Sequence, residues 1–221
     1  MHTATTRFFS ATSWVLLMTA AIACTGCVGA LSQLMYVVKG TEVDPPYEGL
    51  EDSTVAVVCV SDASAYGPDV LTTTIAQAVA IKMHRTGREI NVIPATTIND
   101  WIDKNGWDER DFAKIGEGVG ADKVVAIEIG AYSIHEGSTL YKGRTDLSVT
   151  VYDMTNDGNI DFLYGPTEYS FPKNGRPAIQ TSDRQFEAFF LANLTENIAQ
   201  QFCPYDRVEQ VARDAISLDH L

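Results

Sequence analysis

The stretch "FAKIGEGVGADKVVAIEIG", residues 112–130, decides how the rest of the chain is read. Phe112, Ile115 and Val119 recur at helical spacing and share one face. After the glycines, "KVVAIEI" is a nearly continuous apolar, β-branched run that reads as a strand. The glycine-rich middle, "GEGVGAD" (Gly116–Asp122), imitates a phosphate-binding loop, but its polarity is reversed. A dinucleotide loop follows a strand and opens a helix whose N-terminus faces the pyrophosphate. Here the glycines close a helix and lead into a strand, so they read as a helix stop and a tight turn.

Working outward, "GRTDLSVTVYDM" alternates Leu147, Val149 and Val151 with Asp146, Ser148 and Thr150, which is the pattern of a strand with one face on a core. "NDG" (Asn156–Gly158) is a two-residue hairpin signal of type I′, followed by a strand through Phe162 and Tyr164 and then by a loop rich in proline and glycine. Upstream, "TVAVVCV" (Thr54–Val60) is apolar throughout and reads as a strand buried on both faces. Val70–Arg85 follows as a helix, with Leu71, Ile75, Ala78, Val79 and Lys82 at spacings of three and four. "EINVIP" is a short strand closed by Pro94, and helices are expected over Thr97–Asp103 and Asp108–Val119. A helix from Asp183 to Phe202 puts Phe186, Phe189, Phe190, Leu194 and Ile198 inward and stops at Pro204, with a last amphipathic helix over Asp206–Ile216. The order β-α-β-α-α-β-β-β-α predicts an α+β domain: a single mixed sheet of about five strands with helices packed against it.

The N-terminus has a different character. Arg7 is its only formal charge, and no charged residue occurs from Phe8 to Val38. Trp14–Ile22 forms an apolar segment that runs into small residues and "AIACTGCVGA" (21–30), the layout of an export signal. The C-x-x-C pair in it lacks the folded setting of a redox dithiol, and no second ligand pair stands near enough for zinc, because Cys59 and Cys203 are far apart. Thr25-Gly26 before Cys27 is similar to the end of a bacterial lipobox, so Cys27 is the expected lipidation site. "AIAC" makes Cys24 the alternative. Ordinary secretion after "AIA" and an uncleaved membrane span remain open, although Gly26, Gly29, Ser32 and Gln33 suit a span poorly. The expected organisation is a lipoprotein signal peptide over 1–26, an anchored N-terminus and tether over 27–53, the α+β domain over 54–203, and a C-terminal helix and tail over 204–221. The tether assignment rests on "KGTEVDPPYEGLEDS" (Lys39–Ser53), which carries Pro45 and Pro46 and no apolar period.

Charge narrows the function classes. The net charge is −13, and loss of Arg7 with the leader makes it −14. Such a surface repels phosphate backbones, so no nucleic-acid partner is expected. "DMTNDGNID" places Asp153, Thr155 and Asp157 at the first, third and fifth positions of an EF-hand loop and Gly158 at the sixth. Tyr164, however, stands where the bidentate Glu belongs, so this is a weak metal candidate and a hairpin explains it. Ser61, Asp62 and Ser64 lie just past the first strand, a common position for active sites, but His84, His135 and His220 sit in no motif that would make one of them their base. Asp62 and Ser64 also suit a turn or cap. Cys59 and Cys203 read as buried small hydrophobes, with a disulfide between them as a possibility in an oxidising compartment. No cofactor is expected.

Three phrases carry a family resemblance. "FAKIGEGVGADKVVAIEIG", "LSVTVYDMTNDGNI" (147–160) and "FEAFFLANLTENIAQQF" (186–202) resemble the helix-turn-strand, the next strand and turn, and the closing helix of a group of envelope proteins. These are the N-terminal domain of the Tol-system translocation protein and the curli-secretion and penicillin-binding-protein-activator lipoproteins. The resemblance spans Thr54–Phe202. It implies a compact α+β periplasmic domain, held to the membrane by an N-terminal lipid, that binds other envelope proteins and is not an enzyme. It transfers no functional residue beyond the lipobox cysteine.

Overall fold

A computed structural model of the chain describes residues 42–62, 69–85, 89–106, 111–137, 140–176 and 182–208. Cys24, Cys27, Ser64 and His220 lie outside these residues, as does most of the expected last helix. The chain divides into two units, Met1–Glu42 with Asp206–Val208, and Val43–Tyr205 with Glu209–Leu221; the fold below is that of the second.

Its elements in order are β1 (Thr54–Ser61), α1 (Val70–Arg85), β2 (Asn91–Val92), α2 (Ala95–Asn105), α3 (Phe112–Val119), β3 (Lys123–Glu136), β4 (Leu140–Asp153), β5 (Asn159–Arg176) and α4 (Asp183–Ala199). The strands form one mixed sheet in the order β2-β1-β3-β4-β5. β1 runs parallel to β2 and β3, and β3, β4 and β5 form an antiparallel meander. The expected element order and fold class are those observed.

β1 is buried along nearly its whole length because it is covered on both faces. Val55, Val57 and Cys59 join one core layer with Ile75, Val79 and Met83 of α1 and Phe186, Phe190, Leu194 and Ile198 of α4. The alternate residues Ala56, Val58 and Val60 join a second layer with Ile98 and Ile102 of α2 and Phe112 and Ile115 of α3. β3 divides in the same way: Val125, Ile127 and Ile129 face the first layer, Val124 and Ala126 the second. β4 gives Leu147, Val149 and Val151 to the first layer, while Tyr152 at its end packs on Phe112 of the second.

The glycine-rich stretch is the predicted helix stop. Asp111 caps α3 by accepting from the Lys114 N–H at 3.0 Å. Gly120 ends the helix in the left-handed region (φ 70°), and the Ala121 N–H returns to the Gly116 carbonyl at 2.9 Å. Asp122 then fixes strand register, donating its N–H to the Thr54 carbonyl and accepting the Thr54 N–H on its carboxylate, each at 2.8 Å.

Three local expectations are corrected. β5 continues to Arg176 through the region expected as a proline-rich loop; as the sheet's edge it needs hydrogen bonds on one side only, which is where Pro166 and Pro172 are tolerated. The β4–β5 turn is not a two-residue type I′ turn. Asp153 pairs with Asn159, and between them Met154–Asn156 form a 3-10 turn followed by Asp157 and Gly158 in left-handed conformation (φ 55° and 70°). The cause is the Asp153 carboxylate, which accepts from the Thr155 N–H at 3.0 Å and hydroxyl at 2.6 Å and starts that turn. Part of the expected tether belongs to the domain: Leu50 is 2% exposed in the first core layer, and Tyr47 stacks on Phe162. Cys59 and Cys203, read as buried small hydrophobes, are two buried free thiols, each absorbed into the first layer.

At Gly143 on β4 the backbone lies directly under the Phe190 ring of α4; a Cβ there would sit 2.0 Å from a ring carbon. Gly143→Ala is therefore expected to cost about 1–3 kcal/mol through overpacking. A thermal melt should show a midpoint lowered by several degrees, and an unchanged midpoint would mean that α4 does not press on β4 at this point.

Candidate functional site

The end of β1, where an active site was weighed, is tied into the start of α1. Ser61 is 5% exposed, and its hydroxyl donates to Asp69 Oδ2 at 3.1 Å. The Asp69 carboxylate also accepts from the Thr72 N–H at 2.7 Å, while the Asp69 N–H donates to Thr72 Oγ1 at 2.9 Å, a reciprocal cap at the head of the helix. His84 lies in the last turn of α1, roughly 20 Å along the helix from that cap at 1.5 Å per residue. His135 is also remote. Ser61 pairs with Ile129, six residues before it on β3, which is roughly 20 Å of strand. There the His135 ring packs on Tyr141 and its Nε2 lies 3.4 Å from Asp183 Oδ1. The structure thus brings Ser61 to a carboxylate, and neither described histidine to Ser61.

The Asp153–Asp157 loop holds a cation of the protein's own. Lys123, at the start of β3, places its Nζ 2.8 Å from Asp153 Oδ2 and 2.7 Å from Asp161 Oδ2, with its side chain 11% exposed. Tyr47 completes the cluster by donating its hydroxyl to Asp161 Oδ2 at 2.5 Å. Asp157 is the left-handed residue of the turn and takes no part. No group of three or more potential metal-ligating side chains occurs among the described residues. The Asp153 carboxylate of the EF-hand reading is thus engaged by the protein's own ammonium group, shared with Asp161.

Charges and burial in this clamp reinforce one another. Hydrogen bonds from Lys123, and then from Thr155, hold the Asp153 carboxyl below the usual range. Asp161 is held low by Lys123 and then by Tyr47. Burial, and then the hydrogen bond to Asp161, pushes the Tyr47 phenol up to about 12, so it remains a donor at neutral pH. Burial alone would lower the Lys123 ammonium, but its hydrogen bonds to Asp153 and Asp161 outweigh that and raise it. The apolar side of the same residue strengthens the contact: the Tyr47 ring lies 5.0 Å from that of Phe162 and 6.2 Å from that of Phe202. Its N–H donates to the Gln201 carbonyl at 3.1 Å. Sequence reading missed this clamp because its members are far apart in the chain. The available signal was an aromatic residue and a leucine in a segment otherwise rich in proline and acid.

Two concavities lie among the described residues. A slot of about 20 Å³, lined by Thr72, Ala76, Ile98 and Ile102, holds no more than one water. A groove of about 310 Å³ runs between the ends of α1 and α4, lined by Lys82, Arg85, Glu196, Gln200, Cys203 and Tyr205. Across it Lys82 is bonded to Glu196 at 2.5 Å. Burial pushes the Cys59 thiol up, away from the reactive thiolate form.

No family model matches the chain, and no curated protein matches it. Among solved structures it is similar to lipoprotein GNA1162 from Neisseria meningitidis, at 16% identity over 66% of this chain and 98% of that one, with a TM-score of 0.44. It is also similar to a PelC dodecamer from Paraburkholderia phytofirmans, at 9% identity over 73% and 97% of the two chains and a TM-score of 0.42. A third likeness is to the LpoB C-terminal domain from Salmonella enterica, at 11% identity over 62% and 90%, with a TM-score of 0.34. At such identities and TM-scores the likeness is one of chain course and transfers neither a site nor a partner.

The clamp makes stability depend on pH. Both carboxyls titrate below their ordinary value of 3.8 in the folded protein, so the unfolded chain binds protons first as pH falls. Their contribution is complete above about pH 4–5 and is lost as pH drops through the lowered values. Lys123→Met should destabilise the protein by about 1–3 kcal/mol at pH 7, since charge-assisted hydrogen bonds are lost and two carboxylates remain side by side. Urea unfolding of both proteins from pH 7 to pH 2 should show that gap closing in acid. A gap independent of pH would mean that the lysine acts by packing alone.

Proposed function

We propose that this protein is a lipid-anchored, non-enzymatic cell-envelope protein that faces the periplasm and acts by protein–protein contact in envelope assembly or maintenance. The observation that carries this reading is the N-terminal layout: one arginine, an uncharged run from Phe8 to Val38, small residues ahead of Cys27, and a folded domain soon after. No described helix is long and apolar enough to cross a membrane; the uncharged run lies outside the described residues. The resemblance to Tol-system, curli-secretion and penicillin-binding-protein-activator domains supports a contact role. So does the use of polar groups inside the domain. Ser61 serves the cap of α1, and Asp153 and Asp161 hold Lys123. Lipid on Cys27 would keep the domain at the membrane surface, where its partners are other envelope proteins.

Metabolic labelling with palmitate tests the anchor. Wild type should incorporate label, Cys27→Ser should lose it and either accumulate as precursor or leave the membrane fraction, and Cys24→Ser should retain it. Label that survives Cys27→Ser and disappears in Cys24→Ser moves the lipid to Cys24; an unlabelled wild type removes the lipoprotein reading.

A further inference from the structure

The two faces of the sheet are covered unequally. α1 and α4 cover the first face out to β5, where Phe171 is buried and Tyr169 meets Phe190, whereas on the second face the cover from α2 and α3 reaches β4 only at Tyr152, which stacks on Phe112. Beyond that contact the second face is exposed at Asp146 of β4 and at Ile160, Leu163 and Glu168 of β5, and what lies there is unusual. Asp146 stands directly opposite Gly130 on one side and Glu168 on the other, and both acids are exposed. Asp62 extends the row across Gly130: its Oδ2 lies 3.0 Å from where a Gly130 Cβ would be, with the Asp146 Cβ at 3.4 Å from the same point. Glu128, opposite Ser148, adds a fourth carboxylate to this face. Below the acids, Leu163 opposite Thr150 and Ile160 opposite Tyr152 are 55% and 60% exposed.

This arrangement costs the free domain stability twice. Like charges directly opposite on neighbouring strands repel, as Asp146 and Glu168 do. Large apolar side chains on an open face forgo burial. The negative potential reaches the core edge, since the Tyr152 phenol is raised by burial and then by Glu128 and Asp111. The nearest cations along β4, Lys142 and Arg144, are engaged by Glu136. A segment carrying both basic and apolar side chains would relieve both costs at once.

We infer that the open half of the sheet, with Asp62, Glu128, Asp146 and Glu168 above Leu163 and Ile160, is the surface that receives a cationic, partly apolar segment of a partner protein. This rests on the contact role proposed above and assigns that role a place and a partner chemistry. The sign of the charge selects the partner and guides its approach, and the leucine and isoleucine supply the area that water leaves.

Site-specific photo-crosslinking in the cells that make the full-length protein tests it, with benzoylphenylalanine introduced at Leu163 or, as a control, at Ile81, which is 52% exposed on α1. The Leu163 probe should attach to a segment of another protein containing lysine or arginine among apolar residues, as read by tandem mass spectrometry. Asp146→Lys and Glu168→Lys should each reduce that yield by about tenfold or more. Each should also raise the melting temperature of the purified protein, because a repelling pair becomes an attracting one; a purely structural role for the acids predicts the opposite. The surface assignment is overturned by adducts insensitive to the charge reversals, or by adducts to a segment without basic residues, to a second copy of the chain or to lipid. Adducts from Ile81 alone overturn it while leaving the contact role standing, and protein adducts from neither position remove both.

Discussion

A strand that is apolar at every position cannot be left with one face in water, and β1 is such a strand. Val55, Val57 and Cys59 point one way and Ala56, Val58 and Val60 the other, each set nearly or fully buried. Two helical layers are therefore required, and the parallel pairing of β1 with β3 requires crossovers that supply them. The layers differ in bulk. The first holds four phenylalanines, Phe171, Phe186, Phe190 and Phe202, against a broad strand surface; the second is floored by Ala56 and Ala126 and covered by two shorter helices. The shortness of these helices is why the second layer reaches β4 only at Tyr152.

Much of this was legible from the chain. The helix-turn-strand at residues 112–130 shows its direction because glycine, alanine and aspartate each have one physical task there, and the alternation of β4 announces a strand with a single buried face. What escaped reading depends on distant partners. Whether Pro166 and Pro172 interrupt a strand or decorate an edge depends on which strand is outermost. Whether Asp153 attends a metal or a lysine depends on Lys123, thirty residues away. Ser61 looked available in sequence because Asp69 and Thr72 fall to either side of a helix start whose cap could not be assigned from one strand of text.

The polar groups fall into two kinds. Those inside or at the seams have specific partners at short range: Asp122 with Thr54, Asp69 with Thr72, Lys123 with two carboxylates. Those on the open half of the sheet are arranged by sign, with carboxylate next to carboxylate across strands. The first kind specifies the fold, and the second lowers its stability. That contrast separates what the domain needs in order to fold from what it presents to its surroundings.

Tyr47 has a mechanical consequence. The chain passes from Val43 through Tyr47 and Leu50 into β1, a strand buried on both faces, so tension applied from the N-terminal side would otherwise arrive directly at β1. Tyr47 intercepts it, passing the pull sideways through Asp161 and Phe162 to β5 at the sheet's outer edge and through Gln201 to the end of the last helix. Load entering at Val43 is thereby shared with β5 at the sheet's outer edge and with the end of α4 instead of reaching β1 alone.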